Sequence, residues 1–254
     1  MLGNLPSPLL AVLVTAVAFL YSSIGFGGAT GYLAAMSQFG IEPNIMASTA
    51  LVLNIIVAGT SFVNYTRAGH LRKRLLWPFL ITSIPAAFIG GYFKIHEDIY
   101  FLLLYAVLTH VMFTMLFARD GKYDQTSDLR DFPLWLAQLT GAVIGLLSGM
   151  VGIGGGIFLS PLIIVARWGT SKQAAATAAA FIVLNSVSGL IGRLLGGNLE
   201  LGAFGLSLLP LGILGALTGS YFGARRFSGL WVRRLLGVVL LVAIVNFMVG
   251  YWGK

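Results

Sequence analysis

The chain has 254 residues, of which 57% are hydrophobic and 9% are charged. Soluble domains carry about 25% charged residues, so this composition excludes a water-soluble protein and predicts an integral membrane protein. The net charge of +8 does not predict nucleic-acid binding, because the basic residues lie in short loops between apolar runs. The absence of cysteine excludes disulfides, thiol catalysis and thiolate metal sites.

Ten apolar segments follow one another along the chain, which predicts an all-α polytopic membrane protein. Most are close to the ~20 residues that a helix needs to span a bilayer. The second and seventh are shorter, with about 10 residues or ~15 Å of helix. The region before the first segment lacks Lys and Arg, so we expect a retained membrane segment and not a cleaved signal peptide. The predicted segments are Pro8–Ser23, Ala29–Phe39, Asn44–Thr66, Leu75–Phe93, Ile99–Ala118, Pro133–Met150, Ile157–Ala166, Gln173–Leu195, Gly202–Ala224 and Leu230–Tyr251.

The two halves of the chain resemble each other at a steady offset. The matched pairs are Gly25-Phe-Gly-Gly with Gly152-Ile-Gly-Gly, Phe39-Gly with Trp168-Gly, Ala47-Ser-Thr-Ala with Ala175-Ala-Thr-Ala, Ala68-Gly-His-Leu with Gly196-Gly-Asn-Leu, and Gly90-Gly-Tyr-Phe with Gly219-Ser-Tyr-Phe. A steady offset across five motifs predicts two repeats of five segments each. The first repeat comprises residues 1–118 and the second comprises residues 133–254, and residues 119–132 form a cytoplasmic linker.

Loop charge predicts that the two repeats have inverted topologies. Basic residues concentrate after the third segment, at Arg67 and at 72–74, and after the ninth segment, at 225–226 and 233–234. Both loops should therefore be cytoplasmic, and the loops that correspond to them in the other repeat are weakly charged. Both termini are then expected outside the cytoplasm. Segments one and two, and likewise six and seven, form either re-entrant hairpins or pairs of full crossings, since loop charge is compatible with both.

Two glycine clusters stand directly before the two short segments. The first cluster contains Gly25, Gly27 and Gly28, and the second contains Gly152, Gly154, Gly155 and Gly156. Neither fits a dinucleotide fingerprint or a phosphate-binding loop. Glycine permits a tight chain reversal, and a helix that starts just after it directs free N–H groups and its positive dipole end at the reversal. The clusters are therefore predicted to be broken-helix tips that bind an anion, with close helix packing as the alternative role.

The position of the acidic residues indicates the charge of the substrate. All eight acidic residues lie outside the apolar segments, so no carboxylate is available near the membrane centre for a cation or a proton relay. This disfavours a cation transporter and a metal- or carboxylate-dependent membrane hydrolase. We therefore predict no enzymatic activity, no cofactor and no metal site.

Neutral polar residues form stripes on the third and eighth segments. Hydroxyl and amide groups can donate hydrogen bonds to the oxygens of an anion, although such residues also commonly hold membrane helices together. Two threonines occupy matched positions of the two repeats and could face the glycine clusters. The candidate substrate-binding residues on these segments are Thr49, Asn54, Ser61, Thr177, Asn185 and Ser188.

Three ionisable residues near or inside segments have candidate roles of their own. Arg67 and Arg193 end their segments in corresponding places, where each could attract anions to one mouth of a pathway, and Arg193 could instead snorkel to the membrane surface. His110 lies well inside the fifth segment. It is either a buried neutral imidazole or a proton-coupling group.

The motif Gly149-Met-Val-Gly-Ile-Gly-Gly-Gly, the related Gly25-Phe-Gly-Gly of the first repeat and the Ala/Ser-Thr stretch after each resemble the TauE/SafE sulfite exporter family. The resemblance extends from about Leu10 to Phe247. The first repeat departs from the motif at Ala29-Thr30, so its tip could be less open. The resemblance implies transport of sulfite, other sulfur oxyanions or organosulfonates.

These observations together predict a secondary transporter that moves a small sulfur-containing anion by alternating access, with export as the expected direction. A passive anion channel of the same architecture is the alternative. The expected surroundings are the lipid of a bacterial cell membrane, and the oligomeric state is left open.

Overall fold

The computed structural model describes residues 6–23, 26–117, 129–226 and 229–252, and these residues form ten α-helices and no β-strand. The ten predicted segments are confirmed as helices, with ends that differ by two residues or fewer. The helices are α1 Pro8–Ser23, α2 Ala29–Ser37, α3 Pro43–Arg67, α4 Lys73–Tyr92, α5 Glu97–Leu116, α6 Leu134–Val151, α7 Gly156–Val165, α8 Ser171–Leu195, α9 Gly202–Arg226 and α10 Gly229–Trp252.

Within the residues that the structure describes in full, six helices are long and apolar enough to cross a membrane, namely α3, α4, α5, α6, α8 and the Gly202–Gly219 part of α9. Large apolar side chains also cover much of the outer surface, including Leu102, Trp135 and Val165, which are 65–78% exposed. Such a surface is unfavourable in water and favourable in lipid. The protein is therefore an integral, multi-pass membrane protein.

Helices α3 and α8 form the centre of the bundle. Each has 25 residues and is ~37 Å long, enough to cross the whole bilayer. They run antiparallel, because Leu51 near the start of α3 approaches Gly189 near the end of α8. Asn54 and Ile182 lie close to the midpoints of α3 and α8 respectively, and both are buried.

Glycine allows the helices around this centre to approach closely. On α6, Gly141, Gly145 and Gly149 lie against backbone carbonyls of α4, one glycine for each turn. On α9, Gly215 and Gly219 lie against carbonyls of α1 in the same manner. A Cβ atom at any of these positions would collide with the neighbouring backbone, so glycine sets the spacing of both helix pairs.

The pair α6–α7 is a helical hairpin. Arg130, just before α6, donates its backbone N–H to the carbonyl of Arg167, just after α7, at 2.8 Å. The rings of Phe132 and Trp168 lie 5.9 Å apart at the same place. The chain therefore enters and leaves α6–α7 at one end of the bundle, with the second glycine cluster between the two helices. Near the start of the chain α2 turns back along α1, and Gly31 packs on Val17 and Tyr21.

Candidate functional site

Both glycine clusters reverse the chain through backbone conformations that only glycine adopts freely. Gly152 ends α6 with a φ of 90°, and Gly154 and Gly155 follow with φ of 76° and 77°. Gly28, the residue before α2, has a φ of 92°. Such positive φ values cost other residues ~1–2 kcal/mol. Helices α2 and α7 thus begin directly at the two reversals, with the free N–H groups of their first turns at the tips.

The two reversals meet at the middle of α3 and α8. A Cβ added at Gly27 would lie 2.5 Å from Asn54 Oδ1 and 3.1 Å from Ile182 Cγ2. A Cβ added at Gly154 would lie 2.7 Å from Asn54 Nδ2 and 2.9 Å from the same Ile182 methyl. The two clusters, distant in sequence, therefore contact the same two side chains.

A small cavity lies between the reversals. Its volume is about 10 Å³, which is room for about one water molecule. It is lined by Tyr21, Phe26, Gly27, Gly28, Ala29, Thr30, Ile153, Ile157 and Ile182. The lining is mostly apolar, and the hydroxyl groups of Tyr21 and Thr30 bond each other at 2.6 Å. This conformation is closed around the tips.

Polar atoms without hydrogen-bond partners concentrate beside these tips. Within the described part of the chain, Asn54 has no partner for either Oδ1 or Nδ2, and Ser186 Oγ and the Tyr32 hydroxyl also have none. All three residues are 0% exposed. Ser186 Oγ would lie 3.1 Å from a Cβ at Gly154, and the Tyr32 hydroxyl 2.9 Å from a Cβ at Gly28. Leaving such groups unpaired costs ~1–3 kcal/mol each, which favours a ligand that completes them.

The remaining glycines of the second cluster contact the protein itself. A Cβ at Gly152 would meet Ala47 of α3 at 2.7 Å, and one at Gly156 would meet the Ala178 carbonyl of α8 at 2.6 Å. Gly155 lies against Ile144 and Phe181. Close packing accounts for these three positions, whereas Gly154 faces Asn54. Gly25 of the first cluster lies outside the described residues.

The other polar candidates on α3 and α8 have different surroundings. Ser188 donates its hydroxyl to the Ile84 carbonyl of α4 at 2.6 Å, so it joins two helices. Asn185 donates Nδ2 to the Phe181 carbonyl at 2.8 Å and leaves Oδ1 without a partner. The hydroxyls of Thr49 and Thr177 are buried without partners, and Thr49 lies beside Gly205 of α9. Ser61 is buried.

Comparison with known protein families gives a match over nearly the whole chain. The model of the family described as "Sulfite exporter TauE/SafE" matches residues 9–247. The chain belongs to the TauE/SafE family. That result confirms the resemblance noted in the sequence and identifies a membrane transporter. No solved structure matches the chain.

Three curated relatives of this TauE/SafE protein are described as membrane transporters. "Probable membrane transporter protein y4hK" of Sinorhizobium fredii is 34% identical, over 92% of this chain and 95% of the relative. "Probable membrane transporter protein MJ0441" of Methanocaldococcus jannaschii is 28% identical, over 74% and 72%. "Probable membrane transporter protein YunE" of Bacillus subtilis is 23% identical, over 90% of each.

Arg193 of this TauE/SafE chain is buried, with only 4% of its surface exposed, and it does not snorkel. Its guanidinium donates to the carbonyls of Gly149 and Met150 at 3.2 and 2.7 Å. The Tyr100 hydroxyl donates to the next carbonyl, that of Val151, at 3.2 Å. Because α6 ends at Gly152, its last carbonyls accept no hydrogen bond within the helix. The side chains of Arg193 and Tyr100 donate hydrogen bonds to them instead.

Arg67 and His110 lie on the surface of the bundle. Arg67 ends α3 and is exposed. His110 is exposed too, with its ring stacked on Phe158 of α7 at 5.5 Å, so the expectation of a buried imidazole is wrong. Its proton-coupling role stays a prediction.

Sequence reasoning missed three residues beside the tips of this TauE/SafE protein, namely Tyr32, Ile182 and Ser186. The steady offset between the matched sequence motifs could have identified Ile182, because it occupies the position that corresponds to Asn54. The centre therefore has an amide from α3 and an aliphatic side chain from α8. No sequence signal distinguishes Ser186 from the other serines of α8, because its orientation depends on packing.

Proposed function

We propose that the protein is a secondary transporter that moves a small sulfur-containing anion, sulfite or an organosulfonate, by alternating access. The observation that carries the proposal is the meeting of both glycine reversals at Asn54. Two helix N-termini, with their free N–H groups, converge there on an amide that has no partner. A neutral site of this kind suits an anion, because dipoles stabilise its charge without a fixed ion pair.

We infer two inverted repeats, residues 1–118 and 133–254, joined by the linker 119–132. Helix pairings support this inference, because exchanging helices five apart in the chain converts α1–α9 into α6–α4, α3–α9 into α8–α4, and α2–α3 into α7–α8. Individual contacts follow the same rule. Gly90 lies against the carbonyl of Leu146, and the corresponding Gly219 lies against that of the corresponding Phe19. The antiparallel course of α3 and α8 agrees with inversion.

We infer that α6–α7 and α1–α2 are re-entrant hairpins. The place of Gly154 against Asn54, near the midpoint of α3, supports this choice over two full crossings, because it puts the tip of α6–α7 about halfway through the bundle. Exposed basic residues gather at the end of the bundle where the chain enters and leaves α6–α7, including Arg72, Arg130 and Lys172, as expected for a cytoplasmic face. Both termini would then lie outside the cytoplasm of a bacterial cell.

Transport would proceed by relative movement of the two repeats around the central site. The first glycine cluster belongs to one repeat and the second to the other, so a rocking motion would open the tips to one face and then to the opposite face. The small cavity between the tips agrees with alternating access, in which the site is not open to both faces at once. We expect export to be the physiological direction.

The proposal can be tested with purified protein in liposomes. We expect saturable uptake of radiolabelled sulfite or sulfonate and acceleration by unlabelled substrate on the opposite side. Counterflow distinguishes a transporter from a channel, which would show unsaturated flux and no exchange. The matched control is Gly59→Ala on α3, where an added Cβ meets no atom within 4 Å. Absence of flux and of binding for every sulfur anion, with the protein folded, would contradict the proposal.

A further inference from the structure

Asn54 presents two chemically different atoms to the space between the reversals. Oδ1 points towards Gly27 and can only accept a hydrogen bond, whereas Nδ2 points towards Gly154 and can only donate. Both atoms are buried and have no hydrogen-bond partner among the described residues. Turning the amide over exchanges the two atoms but still leaves one donor and one acceptor. A ligand that satisfies both must itself contain an acceptor and a donor.

An anion with acceptor oxygens alone satisfies only half of this amide. Its oxygens accept from Nδ2 and from the N–H groups of the tips, but Oδ1 then faces another oxygen. A buried acceptor without a donor has lost its hydrogen bonds to water and forms no other hydrogen bond in their place. Ile182, at the position of α8 that corresponds to Asn54, has an aliphatic side chain and presents no acceptor. The mismatch between acceptor atoms therefore arises at Asn54 and not at Ile182.

The charge balance of the site favours a monoanion. Side chains that a Cβ at Gly27 or Gly154 would meet are uncharged, namely Asn54, Ile182 and Ser186. The buried guanidinium of Arg193 is engaged with carbonyls of α6. Each helix N-terminus is equivalent to about half a positive charge, so α2 and α7 together supply about one unit. That amount matches a single negative charge and falls short of a dianion.

We propose that Asn54 is a specificity-determining residue that selects sulfur monoanions with a hydrogen-bond donor next to their acceptor oxygens. Hydrogen sulfite and hydroxylated sulfonates belong to this class, and sulfate does not. This inference rests on the proposed function, since it describes selection at the same central site.

The test compares two anions that differ in one group. Sulfamate and methanesulfonate are tetrahedral monoanions of similar size, and sulfamate has an amino group with two donors where methanesulfonate has a methyl group. Binding of each to the full-length protein is measured by calorimetry at neutral pH. We expect sulfamate to bind about tenfold more tightly, the effect of one buried hydrogen bond made or left unmade.

Asn54→Leu removes both polar atoms and keeps a similar shape. In this variant we expect sulfamate to lose its advantage, so that the two anions bind within about twofold of each other. Asn64→Leu is the matched control, because Asn64 lies on the same helix and is exposed. It should retain the tenfold preference. A thermal melting curve of each variant verifies its fold, and the wild-type comparison does not depend on any variant.

The outcomes separate this inference from the function on which it rests. Equal binding of the two anions to the wild type would overturn the selective role of Asn54 and leave the sulfur-anion transporter intact. An undiminished sulfamate preference in a folded Asn54→Leu variant would overturn the assignment to this residue. Binding of neither anion would overturn this inference, and the transporter proposal would fall with it only if sulfite and the other sulfonates also failed to bind. A tenfold preference that disappears in Asn54→Leu alone supports the inference.

Discussion

The two glycine clusters both reverse the chain, but different side chains surround them. The first has a positive φ only at Gly28 among its described glycines, and aromatic residues enclose it: Tyr32 contacts Gly28, and Tyr21 bonds Thr30. The second has positive φ at Gly152, Gly154 and Gly155 and packs on aliphatic and aromatic side chains of α6 and α8. Two reversals with the same chain path can therefore be surrounded by different side chains. The two sides of the central site can then make different contacts with one ligand.

The largest expected difference between the clusters concerns their facing glycines. Gly154→Ala would force a side chain into a positive φ and against Asn54, whereas Gly27→Ala would only displace Asn54. We expect both variants to weaken sulfonate binding. The dissociation constant of the Gly154→Ala variant should exceed that of the Gly27→Ala variant by at least about tenfold. Calorimetry on folded protein measures this, with Gly59→Ala as the unaffected control. Equal losses in both variants would contradict the role assigned to backbone strain.

The second cluster is also held from outside by Arg193, the one Lys or Arg that is buried within the described part of the chain. Arg193→Gln should lower the free energy of unfolding by about 2 kcal/mol, because it removes charge-assisted bonds to two buried carbonyls. Arg67→Gln, at the exposed end of α3, should change it by less than about 0.5 kcal/mol. Melting curves in detergent compare the two. A stable Arg193→Gln variant would show that α6 ends without this support.

Two serines of α8 distinguish support of the bundle from contact with the second cluster. Ser188→Ala should cost about 1 kcal/mol of stability, since Ser188 bonds the Ile84 carbonyl, and should leave affinity unchanged. Ser186→Ala should leave stability unchanged and weaken sulfonate binding about threefold, since its hydroxyl has no protein partner beside Gly154. Melting curves and sulfonate affinities of both variants, measured together, distinguish the structural role from the ligand contact. The reverse assignment of the two effects would be incompatible with a ligand at Ser186.

The smallest expected effect is at His110, on the helix packed against α7. His110→Phe keeps the stacking on Phe158 and removes the titratable group. If proton coupling does not pass through His110, the transport rate and its pH dependence should stay within about twofold of wild type. Transport assays in liposomes across a pH series provide the measurement. A flattened pH profile would instead support the coupling role predicted from the sequence.

The helices could be predicted from the sequence because their signals are local. Apolar runs, charged loops and glycine breaks determine where each helix begins and ends, and the two short helices follow their clusters as predicted. Hairpins and full crossings could not be distinguished, since both satisfy the loop charges. The contact of Gly154 with Asn54, at the middle of α3, joins distant parts of the chain and cannot be predicted from local patterns.

Side-chain orientation is the other part that the sequence could not predict. Helix α5 is apolar on all sides, so periodicity does not indicate which face is buried, and His110 lies on the exposed one. Arg193 looked like a residue at a helix end, but the broken end of α6 offers carbonyls that a nearby guanidinium can reach. Asn54 was predicted as a candidate, but its position between the reversals follows only from the antiparallel pairing of α3 and α8.

The closed cavity has a consequence for any measured affinity. A space of about 10 Å³ cannot hold a sulfonate, so a sulfonate would bind a wider conformation, which makes up only a fraction of the unliganded protein. The observed dissociation constant is then the intrinsic constant divided by that fraction. Modest affinity in solution is therefore compatible with tight contacts in the wider form, and part of the binding energy is spent on shifting the population between conformations.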